Sequence, residues 1–345
     1  MKPTILIIGA GLFGMHIAYK LSDIAKHVHV YELNDAPFKG AASNNQHRFH
    51  AGFHYPRSQE TIKQINDSAY SFYKNFPNSI FEINSNYYCV AKDNSKINTD
   101  DFLKTFINNS KRIEEKQLDN LLELSRLESV FSVPEKGINL TNLKQTILDN
   151  LQKKHNVKLF FNQSNVEKQF NRYDFIINSS YWSTHLTSDL DVKYELCMLL
   201  KVKNLFKDEQ TPSSLTVIDG MFPSVYETED NGVYTISSVQ FTPFYKTKSL
   251  QEFYYNYNNL QKQFDLKQVA NKIFDHALEY YKLNKEYDEV CKYITPKIKI
   301  LDDFNDLRTS QILHKDKFIT ILQGKISTLD KVAQEILETI NYANI

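Results

Sequence analysis

The apolar and polar positions at the start of the chain predict a strand, a tight turn, a helix and a second strand. Residues 5–8 are a continuous apolar run that ends at a glycine-rich turn, and an amphipathic pattern follows. A second apolar run, residues 28–31, closes at Glu32. Short buried runs joined through a helix are typical of parallel strands. We therefore expect residues 1–35 to form the opening strand–helix–strand unit of an α/β fold.

The same patterns predict further elements along the chain. Helical spacing of apolar positions indicates helices at residues 60–76, 139–155, 264–283 and from about residue 328 onward. Alternating or continuous apolar runs predict strands at residues 80–91, 157–161, 173–180, 196–202, 215–218, 233–239, 293–301 (broken by Pro296) and 318–322. Residues 36–58 form a polar loop rich in His, Asn, Gly and Arg, and residues 93–130 are charged and partly helical.

The turn after the first strand has the spacing Gly-x-Gly-x-x-Gly, formed by Gly9, Gly11 and Gly14. The first glycine permits the tight turn, the second lets the backbone approach a pyrophosphate, and the third lets the helix pack close to the strand. The helix N-terminus offers free N–H groups and the positive end of its dipole to phosphates. Glu32, at the end of the second strand, is placed to accept hydrogen bonds from ribose hydroxyls, and its charge argues against NADP. The motif predicts dinucleotide binding.

The order of elements predicts two interleaved domains. A helix, a strand, a short crossover and an apolar strand that ends in small polar residues indicate that the first sheet resumes after an insertion. We expect a Rossmann-like nucleotide-binding domain built from residues 1–78, 139–190 and 302–345. We expect an α+β substrate domain, built on a mainly antiparallel sheet, from residues 79–138 and 191–301.

Composition narrows the class of protein. The chain has 345 residues, and Lys+Arg and Asp+Glu both total 41, so no net charge attracts nucleic acid or an anionic membrane. The three cysteines are widely spaced and odd in number, which favours reduced thiols over a disulfide framework. No apolar run approaches the ~20 residues of a membrane span. We expect a cytoplasmic protein with no nucleic-acid partner.

The chain resembles the D-amino-acid oxidase superfamily of FAD-dependent oxidoreductases over nearly its whole length. Four segments carry the resemblance: the glycine turn with Glu32, the small-residue segment 42–46, the strand end 174–180, and residues 324–326 before the last helix. One position departs from the superfamily, because Tyr181 stands where its Asn-Ala-Thr-Gly pattern has glycine. The resemblance implies FAD, bound in an extended pose, and hydride transfer from substrate to flavin.

The resemblance also assigns residues to the cofactor. The cofactor-binding residues that it implies, together with those of the glycine motif, are Gly9, Gly11, Leu12, Phe13, Gly14, Glu32, Leu33, Ala42, Ser43, Asn44, Asn45, Gln46, Val166, Ser179, Ser180, Gly324, Lys325 and Ile326. The loop at His50-Ala51-Gly52 is similar to the flavin loop of L-2-hydroxyglutarate oxidases and, more distantly, to that of flavin glycerol-3-phosphate dehydrogenases. Similar loops occur in flavoproteins of surface-polysaccharide and sugar modification.

The polar loop also carries candidate chemistry. Oxidation of an alcohol removes a proton as well as a hydride, so it needs a general base, and histidine is suited to that task near neutral pH. We expect His50 to be this base, with His54 as the second candidate. A guanidinium pairs with two oxygens at once, so Arg48 and Arg57 are candidates to hold a carboxylate or phosphate. The other candidate substrate contacts are Tyr55, Tyr226 and Arg308.

A metal site is not expected in this loop. His47, His50 and His54 have helical spacing, but Gly52 and Pro56 argue against a helix. No carboxylate lies near them in sequence to complete a set of ligands.

Three functions stay open from the sequence. The first is an FAD-dependent oxidoreductase that acts on a CH–OH or CH–NH group of a small polar, anionic or sugar-derived substrate. The second is a flavin-dependent sugar-nucleotide mutase similar to UDP-galactopyranose mutase. The third is a binding protein in which FAD is only structural. The sequence leaves open the substrate, the electron acceptor (oxygen, quinone or protein), covalent attachment of FAD, and the oligomeric state.

Overall fold

A computed structural model of the protein describes residues 1–182, 191–207, 212–300 and 309–343. In these ranges the helices are α1 (Leu12–Leu21), α2 (Gln59–Asn75), α3 (Thr99–Phe106), α4 (Leu140–Gln152), α5 (Leu250–Asn258), α6 (Leu260–Gln263), α7 (Leu266–Leu278) and α8 (Leu329–Ala343). The strands are β1 (Thr4–Ile8), β2 (His27–Tyr31), β3 (Arg48–Phe49), β4 (Ile80–Phe81), β5 (Asn86–Ala91), β6 (Lys111–Ile113), β7 (Leu127–Ser132), β8 (Lys136–Ile138), β9 (Val157–Phe160), β10 (Phe175–Asn178), β11 (Val192–Lys203), β12 (Ser214–Ile218), β13 (Pro223–Glu227), β14 (Val233–Ser238), β15 (Pro243–Thr247), β16 (Asp288–Ile300), β17 (Gln311–Lys315) and β18 (Phe318–Leu322).

The first sheet is the Rossmann-like sheet that the sequence predicts. Its strand order is β17-β18-β10-β1-β2-β9, and every pair is parallel except β17 with β18. One face of β1 packs Ile5 and Ile7 into the core with α1, α2, α4 and α8, and the opposite face packs Leu6 and Ile8 against Val166. Because β1 is buried on both faces, it reads as a continuous apolar run rather than an alternating one.

The second sheet has nine strands in the order β15-β11-β14-β13-β12-β5-β7-β6, with β16 paired along β11. All pairs are antiparallel except β12 with β5. The predicted break at Pro296 is wrong, since β16 runs unbroken from Asp288 to Ile300. An edge strand carries ladder hydrogen bonds on one side only, so it tolerates a residue that lacks an N–H.

A small third sheet joins the polar loop to β4 and β8. Its order is β3-β8-β4, and Arg48 lies opposite Gly137 in the register. The sequence predicts one strand over residues 80–91, but the structure divides it into β4 and β5, which lie in different sheets. The two-residue strands of this sheet are too short to leave a periodic signal, which is why the pattern did not predict them.

One predicted helix ends earlier than expected. The pattern indicates a helix over residues 264–283, whereas α7 ends at Leu278. Tyr281 pairs with Leu122 in an isolated bridge, and its buried hydroxyl donates to the carbonyl of Pro223 at 2.8 Å. These contacts turn the chain back onto the second sheet, so tertiary packing overrides the helical pattern there.

The predicted domain division is consistent with the sheets and stays a proposal. The strands of the first sheet all come from residues 1–78, 139–190 and 302–345, and those of the second from residues 79–138 and 191–301. The third sheet takes strands from both sides of this division. Among the described residues, no helix has the length and apolar character needed to cross a membrane.

Candidate active site

The predicted cofactor residues meet at one edge of the first sheet. They follow the carboxyl ends of its parallel strands: the glycine turn and Leu12 and Phe13 after β1, Glu32 and Leu33 after β2, Val166 after β9, Ser179 and Ser180 after β10, and Gly324, Lys325 and Ile326 after β18. Ligands of open α/β sheets bind outside the carboxyl ends of the strands. The sequence positions of these segments differ widely, so their convergence supports the assignment.

The glycine turn leaves room for a phosphate group. Gly9 has φ of +99°, and Gly11 precedes α1 with no side-chain cap on the helix N-terminus. A Cβ atom on Gly11 would meet no other atom within 4 Å, whereas one on Gly14 would overlap the carbonyl oxygen of Gly9. Open space beside uncapped backbone N–H groups fits the pyrophosphate of FAD. The close approach at Gly14 is the packing role that the sequence predicts.

Glu32 holds the glycine turn against the second strand. Its carboxylate accepts a hydrogen bond from the backbone N–H of Ala10 at 2.7 Å and another from that of Asn34 at 2.9 Å. The residue is only 9% exposed. The side-chain amide of Asn34 donates to the same carboxylate at 2.6 Å, so three of its about four acceptor sites are used and one is left for a ribose hydroxyl. Glu32 therefore fits its predicted role and also fixes the turn.

The strand end after β10 closes onto the same turn. The hydroxyl of Ser179 donates to the carbonyl of Ile8 at 3.1 Å or to that of Gly9 at 3.0 Å. Tyr181, which replaces the glycine of the superfamily, has φ of +64°. This left-handed backbone favours glycine and is uncommon for other residues. The backbone at Tyr181 thus keeps the left-handed conformation that glycine favours, although tyrosine rarely adopts it.

The small-residue segment and the last turn lie against the second sheet and the polar loop. The segment contains Ala42, Ser43, Asn44, Asn45 and Gln46, and Thr295 of β16 donates its hydroxyl to the carbonyl of Asn44 at 2.9 Å. The N–H of Gly324 donates to Ser310 at 2.8 Å, so that N–H is already bonded within the protein. This bond speaks against that N–H as a flavin donor, and the assignment of Gly324 to the cofactor stays a prediction. The amine of Lys325 donates to the hydroxyl of Tyr55, which ties the turn to the polar loop.

Beside this edge the polar loop meets Glu135, which lies between β7 and β8. The side chain of Glu135 is 0% exposed. Its Oε1 lies 3.2 Å from Nδ1 of His50 and 3.3 Å from the backbone N of Ala51. Its Oε2 accepts the hydroxyl of Tyr88 at 2.7 Å and lies 3.6 Å from Nη1 of Arg48. A buried carboxylate thus has a partner on every side, as burial of a charge requires.

His54 joins the same group through Tyr88. Its Nδ1 lies 2.8 Å from the hydroxyl of Tyr88, and its ring centroid lies 5.3 Å from that of His50. We call Arg48, His50, His54, Tyr88 and Glu135 the carboxylate cluster. Both predicted catalytic histidines belong to it.

Arg48 is buried under the loop rather than exposed on it. Its Nη1 donates to the hydroxyl of Thr216 at 2.9 Å, its Nε donates to Gln46 at 3.2 Å, and its guanidinium carbon lies 4.2 Å from the ring centroid of Tyr226. Nη2 of Arg48 and Nε2 of Gln46 are buried and have no hydrogen-bond partner among the described residues. Buried donors without acceptors carry a free-energy cost, which a bound oxygen atom removes.

The electrostatic environment keeps the two histidines neutral and the carboxylate charged. Burial lowers the pKa of His50 below 6.5, although Glu135 partly opposes the shift. Burial and the positive charge of Arg48 hold the pKa of His54 well below 6.5. Burial alone would raise the pKa of Glu135, but His50 and Arg48 outweigh it and lower the pKa to about 2. At neutral pH the cluster therefore offers two neutral imidazoles, each with one ring nitrogen that can accept a proton.

The structure places the other predicted substrate residues differently. Arg57 forms an ion pair with Asp219, so its charge is already balanced by the protein. The hydroxyl of Tyr226 donates to the carbonyl of Lys136 at 3.0 Å, and its ring supports Arg48. These internal bonds speak against a substrate role for Tyr226 and Arg57, whose assignment as substrate contacts stays a prediction. Arg308 lies outside the described residues.

Three residues of the site were not predicted: Glu135, Tyr88 and Thr216. Glu135 follows Val133-Pro134 in a short connection with no motif, and Tyr88 is one of 21 tyrosines. Tyr88 and Thr216 face each other in the register of the parallel pair β5 and β12. That pairing is a long-range contact that a local pattern does not reveal. The only sequence signal was the buried charge of Arg48, which requires an anion partner.

No carboxylate lies near the loop histidines in sequence, and this was one argument against a metal site. In the fold, Glu135 supplies such a carboxylate. The ligand atoms of His50, His54 and Glu135 all lie within 4.8 Å of one another. The same carboxylate has the guanidinium of Arg48 at 3.6 Å, so a divalent cation there would lie beside a buried positive charge. The absence of a metal therefore stays a prediction.

Comparison with known proteins agrees with this geometry. A family model described as an NAD(P)-binding Rossmann-like domain matches residues 7–76. The FAD-dependent monooxygenase FPY4 of Fusarium mangiferae is 25% identical to this chain over 346 residues, which cover 97% of this chain and 90% of that protein. The FAD-dependent monooxygenase kojA of Aspergillus flavus is 23% identical over 385 residues, which cover 97% of this chain and 85% of that protein.

Solved structures give the same fold. L-α-glycerophosphate oxidase from Mycoplasma pneumoniae, solved with FAD bound, has a TM-score of 0.73 at 14% identity and covers 98% of this chain and 94% of its own. Glycine oxidase from Geobacillus kaustophilus has a TM-score of 0.68 at 11% identity and covers 98% and 95%. The chain therefore has the same fold as these two oxidases, and the predicted Rossmann-like fold class is confirmed. The predicted class, an FAD-dependent oxidoreductase, is confirmed.

Substitution of two glycines tests how the protein holds FAD. Gly14→Ala forces a Cβ atom onto the carbonyl of Gly9 and is expected to lower the free energy of unfolding of the FAD-free protein by about 1–3 kcal/mol. Gly11→Ala meets open space, so it is expected to change that stability by less than about 1 kcal/mol but to weaken FAD binding at least about tenfold. Chemical denaturation and FAD titration measure the two effects. Unchanged FAD affinity in the Gly11 variant would contradict the phosphate assignment.

Metal analysis tests the expectation that the carboxylate cluster holds no cation. Protein purified without chelator is expected to contain less than about one transition-metal ion per ten chains, because Arg48 already pairs with the carboxylate. Elemental analysis measures the content, and dialysis against EDTA should leave the flavin spectrum and activity unchanged. A stoichiometric metal lost from His50→Asn protein would overturn this expectation.

Proposed function

We propose that the protein oxidises a CH–OH group of a small polar substrate, with His50 as the general base. FAD, when bound, accepts the hydride. The observation that carries this proposal is the pair of half-buried imidazoles grouped around Glu135 beside the predicted flavin loop, whose pKa values burial holds below 6.5. Oxidation of an alcohol requires removal of a proton, whereas a neutral amine loses hydride without a protein base. The residues present therefore support CH–OH oxidation better than CH–NH oxidation.

His50 is the better base of the two histidines. Its Nδ1 contacts the charged Glu135 directly, and that charge stabilises the protonated imidazole that forms when the substrate loses its proton. Among the described residues the hydrogen-bond partner of His54 is the neutral hydroxyl of Tyr88, and its pKa is held further below 6.5. The substrate proton is accepted at Nε2 of His50, which makes no hydrogen bond among the described residues.

The polar part of the substrate is expected to lie over Arg48 and Gln46. Their free N–H groups are buried donors that require an oxygen acceptor. A hydroxyl, carbonyl or carboxylate oxygen supplies one, and this is the support for a small polar substrate, anionic or sugar-derived.

A second candidate function follows from the sequence relatives. Two proteins that match 97% of this chain are named FAD-dependent monooxygenases. A monooxygenase places one atom of O₂ in its product, whereas an oxidase releases hydrogen peroxide. Turnover under ¹⁸O₂ separates the two, because product that carries the label favours the monooxygenase.

Anaerobic flavin reduction tests the proposed oxidation. The FAD-loaded protein is mixed with hydroxy acids, polyol phosphates, amino acids and nucleotide sugars, and a substrate is expected to bleach the flavin band at about 450 nm. His50→Asn is expected to slow this reduction about 10²–10⁴-fold. His314→Asn, which alters an exposed histidine of β17, is the control and should reduce at the wild-type rate.

The pH dependence gives a second readout of the same experiment. His50 acts when it is neutral, that is, above its pKa, and burial lowers that pKa below 6.5. Flavin reduction is therefore expected to be constant above pH 6.5 and to fall at more acidic pH. Full activity in His50→Asn would overturn the base assignment, and activity that appears only after chemical reduction of the flavin would support the mutase instead.

A further inference from the structure

The contacts of Glu135 determine where the protons of the carboxylate cluster lie. An ionised carboxylate only accepts hydrogen bonds, so Nδ1 of His50 must donate to Oε1 of Glu135. Tyr88 donates its single hydroxyl proton to Oε2 of Glu135. The hydroxyl oxygen of Tyr88 is then an acceptor, and Nδ1 of His54, 2.8 Å away, must be its donor. Both imidazoles therefore carry their proton on Nδ1 when they are neutral.

We propose that Glu135 is a positioning residue that sets the tautomer and ring orientation of His50 directly and of His54 through Tyr88. Both Nε2 atoms are then left unprotonated. The inference rests on the proposed function in one respect, because it takes His50 as the base for the substrate proton. Glu135 itself contacts neither substrate nor cofactor in this account.

His50 and Arg48 together explain why Glu135 orients His50 but does not take its proton. The contact with His50 and then the guanidinium of Arg48, 3.6 Å from Oε2, outweigh burial, lower the pKa of Glu135 to about 2 and keep the carboxylate ionised. The proton removed from the substrate hydroxyl therefore stays on Nε2 of His50, as an imidazolium beside a carboxylate. The groups that face His50 are Glu135, Arg48, His54 and Lys325 by charge and Tyr55 by ring contact.

The small third sheet delivers Glu135 to the loop. β8 starts one residue after Glu135 and pairs with β3, which starts two residues before His50. Ala51 adds a backbone N–H to the same Oε1 at 3.3 Å. The carboxylate is thus fixed by backbone as well as by side chains, as a group that orients another residue needs to be.

Replacement of Glu135 by its isosteric amide is the central experiment. In Glu135→Gln protein, kcat for the substrate found by flavin bleaching is expected to fall about 10²-fold while KM changes less than about threefold. Because Glu135 raises the pKa of His50, its loss is expected to move the acid limb of the rate profile to lower pH. Glu135→Asp retains the charge, so it should restore the wild-type position of that limb and part of kcat.

Two matched variants separate positioning from general damage. Glu229→Gln alters another partly buried carboxylate, which lies 3.5 Å from Nδ1 of His47 outside the carboxylate cluster, and should leave kcat and the limb unchanged. Tyr88→Phe removes the hydroxyl that bonds both Oε2 of Glu135 and Nδ1 of His54 but leaves the contact between Glu135 and His50, so it is expected to lower kcat less than about fivefold. If Glu135→Gln protein does not fold, the Asp and Phe variants carry the test.

NMR titration of the FAD-free protein provides a readout that needs no turnover. The histidine C2–H signal lost in His50→Asn identifies His50, and its pKa is expected to be lower in Glu135→Gln than in the wild type. An unchanged kcat, acid limb and His50 pKa in Glu135→Gln would overturn the positioning role. If His50→Asn keeps full activity while the NMR shift appears, the base assignment fails and the role of Glu135 on His50 stands.

Discussion

The site depends on the burial of one ionised carboxylate. Moving a carboxylate out of water costs several kcal/mol unless charges and hydrogen bonds compensate it. Glu135 has no exposed side-chain surface and is compensated by an imidazole, a phenol, a backbone N–H and a guanidinium. Each partner is thereby fixed in position and in protonation. The same interaction fastens the polar loop to the small sheet and orders the two histidines.

The flavin edge, which is the edge of the first sheet where the predicted cofactor residues lie, and the carboxylate cluster thus have different structural origins. The edge follows from the first sheet, where parallel strands end together and glycine spacing opens a phosphate site. The cluster requires more than one sheet, since Arg48 and His50 come from the segment that follows β2 of the first sheet, whereas Tyr88 lies in β5 of the second sheet. We therefore expect the substrate to react where the first and second sheets meet, beside the hydroxyls of Tyr88 and Thr216 and the guanidinium of Arg48.

The local sequence pattern was enough to predict the flavin edge. The glycine turn, Glu32 and the apolar runs of β1, β2, β10 and β18 lie within short windows, where strand and helix periods and backbone demands act directly. The loop histidines were also singled out from the sequence, because they lie beside the predicted cofactor site, and their catalytic role stays a prediction. The confirmed class of enzyme follows from those parts.

The carboxylate cluster could not be predicted from the local sequence pattern. His50 and Glu135 are 85 positions apart, and only the pairing of β3 with β8 brings them together. Tyr226 and Arg57 matched the residue types of substrate contacts, yet their polar groups are bonded within the protein. Pro296 suggested a strand break, but its place on an edge strand removes the penalty. Long-range pairing decided each of these outcomes.

Nitrogen-15 NMR of the histidine rings in the FAD-loaded wild-type protein tests the central claim most directly. Long-range correlations distinguish protonated from unprotonated ring nitrogens. The account predicts that near pH 7.5 both His50 and His54 are neutral, with the proton on Nδ1 and a free Nε2. A His50 ring that carries its proton on Nε2, or on both nitrogens at that pH, would contradict the role of Glu135 and the base assignment together.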